Sequence, residues 1–218
     1  MLKKIKKIAT KTEIGEKAVT DKQFRAGVFA CGSLLINLAY AVYNGFTGIK
    51  QSSSWYIAIF AYYAVLAVMR FYVVSYEFKK TTKRTDRNIM RFCGRMLIVL
   101  AAVLVVTVAL GVLLHQDTSK PVTMMIVTAV YTFWKAIYAV VKIIRAAKDG
   151  APVLLALRNI SCADAAASML SLEHAMLYTF SAGQSAMTNV TDILTGAAAV
   201  YIVLILGISL LTYRIEEE

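Results

Sequence analysis

Apolar runs of bilayer-crossing length recur six times along this chain of 218 residues, and they constrain its fold more than any other feature. Roughly 20 residues of helix cross the ~30 Å hydrocarbon core of a membrane. The runs fall at about 26–49, 54–78, 93–114, 121–144, 152–178 and 189–213, and the clearest reads MLIVLAAVLVVTVALGVLL. Backbone polar groups inside lipid must be satisfied within their own segment, which favours helices. The alternating pattern of a membrane barrel is absent. With 59% hydrophobic residues, the chain is not an ordinary soluble domain. The expected fold class is an all-α integral membrane protein, a six-helix transmembrane bundle.

The net charge of +11 raises the question of nucleic acid, but its distribution argues for a different origin. Eight Lys/Arg residues precede the first run, and seven lie in KKTTKRTDRNIMRFCGR between the second and third. Lys142, Arg145 and Lys148 follow the fourth run, and Arg214 follows the sixth. The opposite set of loops holds only Lys50 and Lys120. This alternation is the positive-inside pattern, and it predicts that both termini of a multi-pass membrane protein are cytoplasmic. No recognition motif accompanies the charge, so nucleic acid is not an expected partner.

Three regions follow. Residues 1–25 form a basic segment in which Leu2, Ile5, Ile8 and Ala9 share a helical face, suited to an anionic leaflet, with a solvated tail as the alternative. It lacks the short apolar core and cleavage site of a signal peptide. Residues 26–213 are the transmembrane domain, and 214–218 an acidic cytoplasmic tail. Pro121 and Pro152 fall in first turns, where a missing amide proton costs little. Cys31, Cys93 and Cys162 are odd in number and lie near the reducing side, which argues for packing rather than disulfides or zinc. Tyr62, Tyr131 and Tyr201 recur at near-equal intervals and invite a test for three related hairpins.

Polar residues sit at helical spacing. The first run carries Ser33, Asn37, Tyr40 and Asn44 on one face. The second repeats Tyr56, Tyr63, Arg70 and Glu77 every seventh residue. The fourth carries Thr128, Tyr131, Lys135, Tyr138 and Lys142, and the fifth Ser161, Asp164, Ser168 and Ser171. The third and sixth runs are almost wholly apolar. A charge facing lipid costs about 2.5–3.5 kcal/mol at the helix centre on insertion scales. Helices 1, 2, 4 and 5 are therefore expected to line a polar interior, with helices 3 and 6 outside them against lipid.

At ~1.5 Å of rise per residue, Asn37 and Asp164 fall near the midplane, Lys135 slightly inward, and Arg70 and Arg158 further in. Glu173 and His174 fall near the outer interface, within reach of water. Three cations against one carboxylate predict that Asp164 pairs with Lys135 or with Arg70, leaving at least one cation without a protein partner. The candidate polar pathway is Asn37, Tyr63, Arg70, Tyr131, Lys135, Tyr138, Arg158, Asp164 and Ser168. Interhelical hydrogen bonding and snorkelling of the two arginines to headgroups give a purely structural account of the same residues.

Catalytic signatures are missing. Glu173 and His174 lack the second histidine of a metalloprotease helix. Gly183-Gln184-Ser185 lacks the later glycine of a nucleophile elbow. No phosphate-binding glycine loop occurs, and neither an enzyme nor a cofactor is expected. Lys80, Arg84, Arg87, Arg91 and Arg95 mostly precede the apolar core, which suits contact with anionic lipid better than voltage sensing.

NLAYAVYNGFTGI, SSSWYIAIFAYYAVLAVMRF and ISCADAAASMLSLEHAML together resemble small uncharacterised polytopic membrane proteins of Gram-positive bacteria. The resemblance implies a bacterial plasma membrane and carries no activity. Six-helix substrate-binding subunits of vitamin transporters are similar in size and topology, and their small-residue contact motif matches Ala26 and Ala30. The functional expectation is a transporter or transport-related subunit with a net-basic interior for a small anion. The alternative is a non-transporting component that binds partner membrane proteins, a second copy of itself, or anionic lipids. Substrate and direction are not encoded in any recognisable motif.

Overall fold

The computed structural model describes residues 22–77, 83–114, 122–146, 152–180 and 186–213. Among them are six helices and no strand: α1 Lys22–Gln51, α2 Ser54–Glu77, α3 Lys83–Leu114, α4 Val122–Ala146, α5 Pro152–Phe180 and α6 Ala186–Thr212. Segments of α2, α3 and α6 are long and apolar enough to cross a membrane. Residues 1–21, Lys80, Lys120, Gln184 and the tail 214–218 lie outside the described residues.

The turn between α1 and α2 shows how sharply the chain reverses. Ser52 adopts the left-handed region, with φ 50°. The Ser53 amide donates to Gly48 O at 3.0 Å and the Ser52 amide to Ile49 O at 3.4 Å. This double bond pattern caps the last carbonyls of a helix, usually with glycine at the left-handed position. Ser53 O then accepts the Ile57 amide at 3.2 Å, so the residue that ends one cap begins the next helix. Pro152 is the first residue of α5, where it sacrifices no hydrogen bond.

Contacting residues on α1 and α2, α2 and α5, and α5 and α6 run in opposite order, as in Trp55 against His174 and Arg70 against Asp164. These antiparallel pairings put the start of α1 and the end of α6 at the same end of the bundle. The apolar core is built from α2, α3 and α5, with Tyr62, Leu66, Leu97, Leu100, Leu104, Ile160 and Ala163 all fully buried.

Three expectations are corrected here. First, α3 and α6 lie outside the polar interior, as expected, but their inner faces pack on other helices rather than being set against lipid alone. The inner stripe of α3 is central to the core, and α6 packs closely on both α3 and α5. The reason is small residues: a Cβ on Gly94 would sit 3.0 Å from Gly207 O, so the two backbones nearly touch. An apolar stripe packs on protein as readily as on lipid, so its lack of polar residues did not mark it as peripheral. Helix α4 packs closely on α5 alone, and α1 on α2 alone. Second, the three tyrosines are not equivalent: Tyr62 is fully buried, whereas Tyr131 and Tyr201 are exposed. Third, α3 starts ten residues before the expected span, and its first turns present Arg87, Arg91 and Arg95 outward opposite buried Ile89, Met90 and Cys93.

Candidate functional site

Asp164 is the centre of the polar interior. It is 1% exposed, and its two oxygens are divided between two helices. Arg70 Nη2 on α2 donates to Oδ2 at 2.8 Å, and Lys135 Nζ on α4 donates to Oδ1 at 2.5 Å. The expectation was one partner or the other, and Asp164 takes both. Nor is any of the three cations left over, because Arg158 also engages a neighbour. An isolated carboxylate at this depth would be strongly disfavoured, and its pairing with two cations offsets that cost.

One turn along α5, Ser168 completes the arrangement. Its hydroxyl donates to Asp164 O at 2.8 Å and accepts from Lys135 Nζ at 2.8 Å. Tyr63 OH lies 2.9 Å from the same oxygen. With the one serine proton committed to Asp164 O, the tyrosine is the donor and both serine lone pairs are filled. The seven-residue interval on α2 and the four-residue interval on α5 are what align these pairs. Lys135 Nζ also stands 5.4 Å from the Tyr63 ring centre and 5.5 Å from that of Tyr131, within cation–π range.

A cleft of about 290 Å³ opens onto this cluster. Gly32, Ser33 and Ile36 of α1 face Tyr131 and Tyr138 of α4, and Arg70, Lys135 and Asp164 form its floor. Two formal positive charges against one negative leave the floor net cationic. A smaller cavity of about 20 Å³ adjoins it, lined by Asn37, Tyr63, Thr128, Lys135 and Ser168 among others. That volume suits a single water. Asn37 is 1% exposed and its Nδ2 has no hydrogen-bond partner among the described residues, so it has a proton to offer one.

Of the nine candidate residues, Tyr63, Arg70, Lys135, Asp164 and Ser168 form one hydrogen-bonded network. Asn37, Tyr131 and Tyr138 line the adjoining cavities. Arg158 is half-buried and lines neither.

A second polar cluster lies further along α5, and here the expectation of water access fails for His174, whereas Glu173 is half-buried and lines an open cavity. His174 is 1% exposed. Its Nδ1 is 2.9 Å from Asp192 Oδ2 on α6, and its ring stacks on Trp55 of α2. Glu173 accepts from Thr195 Oγ1 at 2.8 Å. Burial follows from the convergence of four helices, with Gly111 of α3 closing over the stack: a Cβ there would lie 2.6 Å from Trp55 Cζ3. Sequence reasoning missed Asp192, Thr195 and Trp55. The usable signal was Asn189, Asp192 and Thr195 at intervals of three on the last helix. Among the described residues, no group of three His, Cys, Asp or Glu side chains gathers to hold a metal.

No protein-family model matches the chain, and neither a curated protein nor a solved structure does.

Proposed function

We propose that the protein is a multi-pass plasma-membrane protein that binds a small anionic solute in the cleft between α1 and α4, as a transporter or transport-related subunit. The observation that carries this reading is the net-cationic floor of Arg70, Lys135 and Asp164 beneath a cavity large enough for a small organic molecule. A solute carboxylate or phosphate would balance the excess positive charge.

Six spans with both termini cytoplasmic are part of the same reading. α2, α3 and α6 qualify by apolarity alone. The polar groups that dilute α5 are those turned inward to Arg70, Lys135 and Trp55, so its lower apolarity does not argue against a span. The antiparallel pairings keep the two described ends together. The outward arginines at the start of α3 suit anionic headgroups on the cytoplasmic side.

Thermal unfolding with a panel of carboxylates, phosphates and organic cations tests the function. Anions should stabilise the protein, and Arg70→Met and Lys135→Met should each abolish that response. Selective stabilisation by cations, or an anion response unchanged in both variants, would sink the reading. Topology is checked on intact cells with an impermeant thiol reagent. Cysteine at position 50 or 184 should label and cysteine at position 83 should not.

A further inference from the structure

We infer that the ligand of this cleft is an amphiphilic anion, a carboxylate or phosphate on an apolar body, which enters sideways from the bilayer between α1 and α4. This rests on the anion-binding reading above and narrows it.

The shape of the cleft supplies the argument. α1 and α4 line opposite walls without packing closely on each other. The lining residues cluster near the middle of each helix: Ile36, Arg70, Lys135 and Asp164 lie within about one and a half turns of the midpoints of their helices. The opening therefore gives onto the flank of the bundle. Its rim is apolar and aromatic, with Ile36 51% and Trp134 72% exposed. In a membrane that flank meets acyl chains. A hydrophilic anion reaching it from water would first have to shed its hydration and cross hydrocarbon, as costly as burying a charged side chain there. An anion attached to an apolar body avoids most of that penalty: its tail stays in lipid or against Trp134 while its head reaches Lys135.

Gly32 supports the same path. A Cβ built on it meets nothing within 4 Å, although it lines the cleft. The space beside it is open, so a larger side chain there would obstruct the cleft without displacing a neighbour. The charged groups lie at the floor, and the walls offer hydroxyls from Ser33, Tyr131 and Tyr138. That is the layout of a site that fixes a head group and leaves the body loosely held.

Two sources carry this chemistry, a free fatty-acid-like molecule and an anionic phospholipid of the bilayer. The experiment separates them with protein in phosphatidylcholine nanodiscs. Decanoate, decan-1-ol, decylammonium and acetate are compared by thermal unfolding midpoint, alongside discs containing phosphatidylglycerol and no additive. Decanoate should raise the midpoint by a few degrees at about a hundredfold excess over its Kd. Decanol, decylammonium and acetate should not. Lys135→Met leaves Asp164 paired with Arg70 and should fold, but should lose the shift. Gly32→Leu should keep the unliganded midpoint and also lose the shift. A Lys135-dependent rise in phosphatidylglycerol discs alone would identify the phospholipid as the source. If acetate matches decanoate, the anion site stands and lateral entry of an amphiphile is wrong. If decanol matches decanoate, the cleft is an apolar groove and both readings fall. Binding unaffected by Gly32→Leu, or no response to either decanoate or phosphatidylglycerol, overturns the inference.

Discussion

Trp55 lies flat against His174, with ring centres 3.7 Å apart and planes 14° from parallel. Asp192 grips the imidazole by Nδ1, so one buried side chain ties α2 to both α5 and α6. Ten residues earlier on α5, or about 15 Å along the helix, Asp164 ties α5 to α2 and α4. The Asp164 cluster has more cations than carboxylates, whereas Glu173 and Asp192 outnumber His174. α5 is thus a central strut whose Asp164 and His174 are buried against other helices, which explains how an otherwise apolar helix carries them.

The stack at His174 leaves no room at Gly111. Gly111→Ala would place a methyl 2.6 Å from Trp55 Cζ3 and 3.2 Å from His174 Cε1. Both rings are enclosed, so neither can retreat without disturbing Asp192. Overpacking of this kind costs about 1–3 kcal/mol. Thermal unfolding in detergent should show Gly111→Ala clearly destabilised, and a wild-type midpoint would mean that the stack is looser than the geometry implies.

Asp164 predicts an ordered series. Asp164→Ala leaves Arg70 and Lys135 buried side by side with no counter-charge and should cost about 3–5 kcal/mol. Asp164→Asn keeps one acceptor oxygen and should cost less. Adding Lys135→Met to Asp164→Ala removes one of the stranded cations, so the double variant should be more stable than the sum of the singles predicts. A double-mutant cycle measures this coupling. Additivity of Asp164 with both Arg70 and Lys135 would contradict the network.

The turn between α1 and α2 predicts a gain. Ser52 occupies a left-handed conformation that costs a residue with a Cβ roughly 1 kcal/mol. Ser52→Gly should recover about that much, reduced somewhat by the greater freedom of glycine in the unfolded chain. The caps from Ser52 and Ser53 are backbone bonds and survive the change. A lower unfolding midpoint would show that the serine side chain contributes something the backbone pattern does not.

How far the sequence reveals this arrangement depends on whether a position carries a polar marker. Asp164 and its partners were legible because a charge in an apolar helix must find a partner, and helical spacing restricts where it looks. The helix limits were legible from run length, apart from the early start of α3, where charged residues continue the helix beyond its apolar part. The close packing of α3 on α6 was not legible, because contact through Gly94 and Gly207 is a matter of shape and leaves no charge pattern. Asp192 was hidden for another reason. It sits at the first turns of its helix, where a carboxylate reads as the wet end of a span. Only the convergence of Trp55, Gly111 and His174 turns that position inward.

Asn37 offers the sharpest functional test of the charge argument. It shares the 20 Å³ cavity with Lys135, Tyr63 and Ser168, and is itself buried. Asn37→Asp changes the side chain by almost nothing in volume and adds one negative charge beside Lys135. The formal balance of the polar interior then falls from one excess positive charge to none. A new carboxylate at this position has Lys135 and the water-sized space for partners, so folding should persist with a modest change in stability. What should disappear is the anion response. The excess charge that makes a bound carboxylate or phosphate favourable is then supplied internally, and a ligand head group would meet a neutral floor. Asn37→Leu, in contrast, removes an unsatisfied donor without altering the charge and should leave the response in place. Equilibrium binding or ligand-induced thermal shift on the three proteins decides the matter: equal anion binding by wild type and Asn37→Asp would show that net charge at the floor is not what the site recognises.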